Sequence, residues 1–177
     1  MFCDVSTDPA DGLRRTPPNE SNNMTDRNVR KDAPSFATAE RIVHALLAHK
    51  AEDVVILDLR PNSDVADLFV IATGNSEPQV TALARAVVDE LCDAGEKPLH
   101  TEGLEQGRWA LIDFVDIVVH VMLPRSRTYY DLERLWNDAE RREVSEDYFA
   151  RPEVAERHPD LSLVRRALAK TGDNETE

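Results

Sequence analysis

The chain predicts an α/β fold, an α/β/α sandwich built on a mixed five-stranded sheet, and three observations predict it. Val54–Leu59 and Leu68–Thr73 are short, rich in β-branched residues and apolar on both faces, as strands covered on each side must be. Helical periodicity flanks that pair, in residues 36–49 and again from Gly74-Asn75-Ser76 to about Ala94. Two more apolar runs, Trp109–Phe114 and Ile117–Leu123, are joined by the two-residue link Val115-Asp116, the spacing of an antiparallel hairpin. Helices before and after continuous apolar strands imply a sheet with helical layers.

The elements follow in order. Residues 1–34 carry Pro9, Pro17, Pro18, Asn19, Asn22 and Asn23 among many charges, with almost no apolar periodicity, and predict a disordered tail in which Met24 offers a second translation start. From Phe36 to His49, Ile42, Val43, Leu46 and Leu47 recur at helical spacing; Thr38 is placed to cap the start, and His49 and Lys50 suit the negative end. Arg60-Pro61-Asn62-Ser63 is a turn between the first two strands. The stripe Val80, Leu83, Ala84, Val87, Val88 and Leu91 defines the second helix, which Gly95 stops. Leu99–Thr101 supplies the fifth strand. Pro124 ends the last strand, and Thr128–Ala139 is a short helix or irregular helical arm. The α/β domain therefore spans 35–140. Residues 141–177 form a charged extension in which Leu161, Val164 and Leu168 line one face of a short helix.

Charge narrows the partners. Thirty-four acidic residues against twenty-one basic ones give a net charge of −13 over 177 residues, which disfavours direct nucleic-acid recognition because phosphate binding relies on Lys and Arg. A basic protein partner fits this balance, and so does a charge that serves only solubility. Cys3 and Cys92 have no CxxC neighbour, which suits a reducing compartment. No apolar run is long enough for a bilayer, and the acidic N-terminal residues lack the apolar region of a signal peptide; the expected address is bacterial cytoplasm, with no membrane partner.

Chemistry is sparse. Gly74-Asn75-Ser76 stands where a phosphate binds a helix start, but Ser76 and Gln79 have capping-box spacing and Glu77 adds negative charge there. Asp64 with Asp67, and Asp113 with Asp116, do not form a converging set for a hard cation, so no metal and no cofactor is expected. His100-Thr101-Glu102 lacks the Pro-Cys-x-x-Cys partner of a zinc deaminase. Ser63, Ser76 and Ser126 have no recognisable base, and His120 sits alone in an apolar strand. The conspicuous segment is Tyr129-Tyr130-Asp131-Leu132-Glu133-Arg134-Leu135-Trp136. Adjacent helical residues point about 100° apart, so Tyr129 and Tyr130 cannot readily share one core. Rings interleaved with both charge signs make a contact patch. Trp109, His120, Tyr129, Tyr130, Asp131, Leu132, Glu133, Arg134 and Trp136 are the candidate partner-binding residues, with no catalytic residue among them.

Asp67-Leu68-Phe69-Val70-Ile71-Ala72-Thr73-Gly74-Asn75-Ser76, then Gly107-Arg108-Trp109, then Asp113 to His120, then Tyr130-Asp131-Leu132-Glu133-Arg134-Leu135-Trp136 occur in that order. Together they resemble the ribosomal silencing factor family (RsfS, or Iojap), over roughly Phe36 to Ala139. The resemblance implies a nucleotidyltransferase-like α/β/α fold without its catalytic acids. It also implies a non-enzymatic factor that binds the large ribosomal subunit through ribosomal protein fourteen, blocks joining of the small subunit when nutrients are scarce, and self-associates as a homodimer. Two positions depart from the family pattern. Val115 stands where Gly is expected, so the hairpin turn must differ if that position needs φ > 0. Asn137 replaces a Gly after Leu135-Trp136, a mild change because Asn tolerates the left-handed region. The competing functions are a magnesium-dependent nucleotidyltransferase and a dimeric scaffold whose aromatic patch pairs only with itself.

Overall fold

The computed structural model describes residues 34–60 and 66–172; the expected tail, Met24, Cys3, Pro61–Ser63 of the turn, Asp64 and the side chain of Leu168 lie outside them. Helix α1 (Pro34–Ala48) leads into strands β1 (Glu52–Asp58) and β2 (Leu68–Thr73), then helix α2 (Glu77–Asp93) and strands β3 (His100–Glu102), β4 (Trp109–Asp113) and β5 (Ile117–Met122). Two short helices follow, α3 (Pro124–Tyr130) and α4 (Leu132–Leu135), then strand β6 (Glu140–Glu143), a 3₁₀ turn (Glu146–Ala150), α5 (Pro152–Arg157) and α6 (Ser162–Gly172). The sheet is mixed, as expected, but has six strands rather than five, in the order β3-β4-β5-β2-β1-β6. Only β2 and β5 run parallel, with Leu68 opposite Ile117 and Thr73 opposite Met122; the other pairs are antiparallel. The added strand is β6, whose residues fall on the expected domain limit at 140 and the start of the extension. Its sequence, Glu-Arg-Arg-Glu, carries no apolar alternation, because an edge strand protected by charge needs none.

Alternation along the strands feeds two unequal cores. Val54, Ile56, Leu68, Val70, Ala72, Ala110, Ile112, Ile117, Val119 and Val121 face α1, α2 and the C-terminal helices. Val55, Leu57, Phe69 and Ile71 face the other way, cluster with Leu59, Ala66 and Val118, and meet Leu132, Trp136 and Ala139 of the arm. The second helical layer is therefore a strap over part of the sheet. The C-terminal residues Val144, Tyr148, Phe149, Val154, Leu161, Leu163 and Val164 join the larger core, and residue 140, the expected domain limit, falls within β6.

The caps show how local sequence sets the ends. Ser76 caps α2 by accepting from the Gln79 N–H at 3.3 Å, while Gln79 Oε1 accepts from the Asn75 N–H at 2.9 Å. Gly95, at φ +88°, stops α2 in a Schellman turn with Glu96 N–H on Leu91 O and Gly95 N–H on Cys92 O. Thr38 does not cap α1, which begins earlier at Pro34; its hydroxyl instead donates to Glu96 Oε1 at 3.0 Å. The expected single arm splits in two at Asp131, whose φ of +43° is left-handed; that conformation falls on Asp131 rather than on Asn137. Val115 has a positive φ of +74°, so the hairpin turn places this valine in the region that favours glycine. Asp116 N–H closes a tight turn on Phe114 O at 3.0 Å and Asp113 Oδ1 accepts from Val115 N–H at 2.7 Å, which together hold the strained residue.

One buried carboxylate fastens the C-terminal segment. Glu40, inside α1 and fully buried, accepts from Tyr148 Oη at 2.5 Å, from the Arg157 guanidinium at 2.7 and 3.1 Å and from His158 Nε2–H at 2.9 Å. Burial by itself raises its pKa, but the hydrogen bonds from His158, Arg157 and Tyr148 outweigh it and hold the carboxyl at about 2. Burial and the same Glu40 bond push the Tyr148 phenol up to about 12.

Glu40→Ala therefore leaves the buried Tyr148 hydroxyl and His158 ring without their shared acceptor and lowers stability at pH 7 by roughly 3–5 kcal/mol in chemical denaturation. In the unchanged protein the folded pKa lies below the unfolded 4.5, so this contribution is present above pH 4.5 and is lost as the pH falls toward 2; an acid-unfolding curve that is flat across that window contradicts the assignment. Val115→Gly raises stability by about 1 kcal/mol, since relief of left-handed strain (~1–3 kcal/mol) exceeds the added chain entropy (~0.5–1 kcal/mol). A urea midpoint that falls in this variant refutes the strained turn.

Candidate functional site

The strap covers β1 and β2 but leaves β4 and β5 with a partly open face, and the aromatic residues gather along that margin. Trp109 opens β4 diagonally across from His120 on β5, through the pairs Trp109–Met122 and Leu111–His120. Six rings form one continuous strip: Tyr129 to Tyr130 (5.0 Å between centroids), Tyr130 to Trp109 (4.6 Å), Trp109 to His120 (5.8 Å), His120 to Phe69 (4.9 Å) and Phe69 to Trp136 (5.7 Å). The strip rises from core to surface. Phe69 and His120 are buried, Trp136 and Trp109 half-buried, Tyr130 is 51 % exposed and Tyr129 81 % exposed. Neither of the adjacent tyrosines enters a core.

The arm that carries the tyrosines is pinned by Arg127. Its Nη1 donates to the Asp53 carbonyl and to Thr73 Oγ1, both at 2.7 Å, and its Nε donates to Glu133 Oε1 at 2.8 Å. Asp53 sits at a bulge of β1 with φ +48°, which turns its carbonyl out of the ladder toward the arm. Leu132 and Trp136 pack onto the smaller core as the staple that fixes α4. Glu133 is thus an internal partner, largely shielded in its pair with Arg127. Asp131 and Arg134 are exposed on the arm, and Leu135 beside them is 70 % exposed. The structure brings Trp109, Tyr129 and Tyr130 together on the surface, places Leu132, Glu133 and Trp136 beneath the arm, and leaves Asp131 and Arg134 on its rim. Sequence reasoning missed two members: Phe69, which reads as an ordinary core residue in an apolar strand, and Arg127, two of whose three partners, Asp53 and Thr73, lie far away in sequence.

His120 is only 5 % exposed and lies below the surface residues. Its Nδ1 accepts from Trp109 Nε1–H at 3.2 Å, which fixes the tautomer with the proton on Nε2. That Nε2 is buried and has no hydrogen-bond partner, a cost of ~1–3 kcal/mol. Burial lowers the His120 pKa to about 4, so the ring is neutral near pH 7.

The helix start that sequence offers as a phosphate site is satisfied internally. At the strand-to-helix junction the N–H groups of Gly74, Asn75 and Gln79 donate to Met122 O, Gln79 Oε1 and Ser76 Oγ, and Glu77 pairs with Arg108 at 3.2 Å. Among the described residues no group of three or more His, Cys, Asp or Glu side chains is placed to hold a metal ion, and no helix is long and apolar enough to cross a membrane.

The family profile described as "Ribosomal silencing factor during starvation" matches residues 31–169. The chain belongs to the RsfS family. A Bacillus subtilis protein named ribosomal silencing factor RsfS is 46 % identical over 90 residues, covering 51 % of this chain and 76 % of the relative. The chloroplastic protein Iojap of Arabidopsis thaliana is 32 % identical over 111 residues, covering 63 % of this chain and 46 % of its own length. A crystal structure of a Chromobacterium violaceum protein superposes with a TM-score of 0.56 at 41 % identity, over 56 % of this chain and 83 % of that one. The RsfS match runs past β6 into α6, so the C-terminal segment fastened by Glu40 lies within the family's own extent.

Arg127→Ala is expected to lower stability by roughly 2–4 kcal/mol, because it leaves Glu133 half-buried and unpaired. The loss is local: amide exchange rises in α3 and α4 and stays slow in α1 and α2. Unchanged exchange in the arm, read by mass spectrometry, rules out Arg127 as its anchor.

Proposed function

We propose that this RsfS protein binds the large ribosomal subunit through ribosomal protein fourteen and acts as an obstacle to joining of the small subunit, lowering translation when nutrients are limiting. The observation that carries this reading is the exposed end of the aromatic strip. Tyr129 and Tyr130 stand 81 % and 51 % exposed in ring contact with each other, and Trp109 backs them from the sheet. Preorganised rings ringed by polar groups are the surfaces where single truncations cost most. Asp131 on the rim meets a cationic group of the partner, while Arg108, Arg125 and Arg134 fit acceptors around it. The acidic remainder of the molecule steers approach to a basic protein and weakens as salt is added. Inhibition needs occupancy alone: at ~100 times its dissociation constant the factor favours the blocked subunit by ~2.7 kcal/mol. Self-association through the same strip competes with the ribosome for these rings, and so gives the homodimer a place in the same scheme.

Co-sedimentation with purified large subunits at two salt concentrations tests this. Binding is expected at both and weaker at the higher. Tyr129→Ala and Tyr130→Ala each cost about 2 kcal/mol, near 30-fold in affinity, with the fold intact. Excess protein added to mixed subunits lowers the peak of assembled particles; if that peak holds its height, subunit exclusion is wrong. If Tyr130→Ala abolishes only the dimer and leaves ribosome binding whole, the strip is a self-pairing surface.

A further inference from the structure

We infer that His120 is a positioning residue for docking: it holds the indole of Trp109, and through it the two tyrosine rings, in the orientation that a partner meets. This rests on the reading of the strip as the docking surface. His120 lies on β5, between β4 and β2, with its ring braced edge-on by Phe69 at 4.9 Å. A ring so enclosed presents Nδ1 in one direction only, and Trp109 Nε1–H meets it at 3.2 Å. The bond sets the tilt of the indole, 45° to the imidazole, and Tyr130 packs on that indole at 4.6 Å and 47°. Tyr129 stands against Tyr130 at 86°. Each ring outward from His120 is thus set by the one beneath it.

The backbone of Trp109 is fixed independently. A Cβ at Gly103, whose φ is +74°, would fall 1.9 Å from the Trp109 carbonyl oxygen, so only glycine lets the β3–β4 connection close over that point. With the main chain held there, the remaining freedom of Trp109 lies in its side-chain torsions, and these are what the His120 bond restricts. Stability alone does not account for a histidine here. Its second nitrogen is buried without a partner, a penalty that an aromatic hydrocarbon of similar shape avoids. The imidazole supplies what such a residue cannot, an acceptor for the indole.

The test compares His120→Phe, which keeps a ring but removes the acceptor, with His120→Asn, which keeps an acceptor near the Nδ1 position. Tyr129→Ala serves as the reference for docking itself. Three readouts are taken: the urea midpoint, the indole N–H resonance of Trp109 (assigned with Trp136→Phe), and co-sedimentation with large subunits. His120→Phe is expected to hold or raise the midpoint, to move the indole resonance toward that of free tryptophan, and to weaken binding about 10-fold, the scale of one hydrogen bond. His120→Asn is expected to restore both indole signal and binding. If His120→Phe binds like the unchanged protein while Tyr129→Ala binds poorly, positioning is wrong and docking stands. If Tyr129→Ala has no effect, the docking surface itself is wrong. Should His120→Phe fail to fold, the unchanged protein decides: a Trp109 indole proton that exchanges as fast as one exposed to water overturns the inference, and a protected one supports it.

Discussion

Arg127 ties together segments that sequence keeps far apart. Its guanidinium reaches the bulged carbonyl of Asp53, the hydroxyl of Thr73 at the end of β2 and the carboxylate of Glu133 in α4. Charge-assisted bonds are the stronger kind, and a shielded guanidinium left unpaired is costly, so the three partners are held together rather than merely tolerated. The position of the arm follows from this. Pinned to β1 and β2, α4 lays Leu132 and Trp136 over the smaller core and can reach no further across the sheet. The open margin of β4 and β5, where Trp109 meets the tyrosines, is the region the strap does not cover. The bulge at Asp53 is thereby linked to the surface: without its outward carbonyl, Arg127 loses one of its fixed acceptors.

The electrostatics divide by distance. A net charge of −13 acts over the Debye length, about 8 Å at physiological salt, and biases which neighbours approach. Contact is governed differently. At the strip itself Glu133 is neutralised by Arg127, and Arg108, Arg125 and Arg134 stand close to Asp131 and Glu77. The rim therefore carries both signs, and the apolar rings dominate its centre. An acidic composition alone suggests an acidic contact patch; the side-chain geometry replaces it with an aromatic one inside an acidic whole.

What sequence makes legible here is what depends on local order. β2, β4, β5 and α2 follow from apolar period and caps, because burial on a sheet face or helix stripe repeats at fixed spacing. The sixth strand escapes because charge shields its edge and erases that period. The break at Asp131 escapes because an aspartate in the left-handed region leaves no compositional mark. Tyr148 and Phe149 look like stray aromatics in a charged tail until Glu40, more than a hundred residues away, gives the segment its anchor. Of the site, exposure of at least one tyrosine was deducible from the 100° step. Which residues lie under the arm was not, since the partners of Arg127 are set by topology.

Two of the buried polar clusters among the described residues are finished to different degrees. Around Glu40, carboxylate, phenol, guanidinium and imidazole satisfy one another, and a network of that kind rigidifies what it joins. Around His120 one nitrogen is engaged and the other is not. A fold selected only for stability removes an unpaired buried donor, because an apolar side chain of the same shape costs less. Local rules are broken most often where a surface must be kept in one form for something outside the chain. The unfinished histidine beneath the exposed rings differs from His44, whose Nδ1 is also buried without a partner: His120 engages Trp109 with its other nitrogen, whereas His44 engages Ser162 of the C-terminal segment.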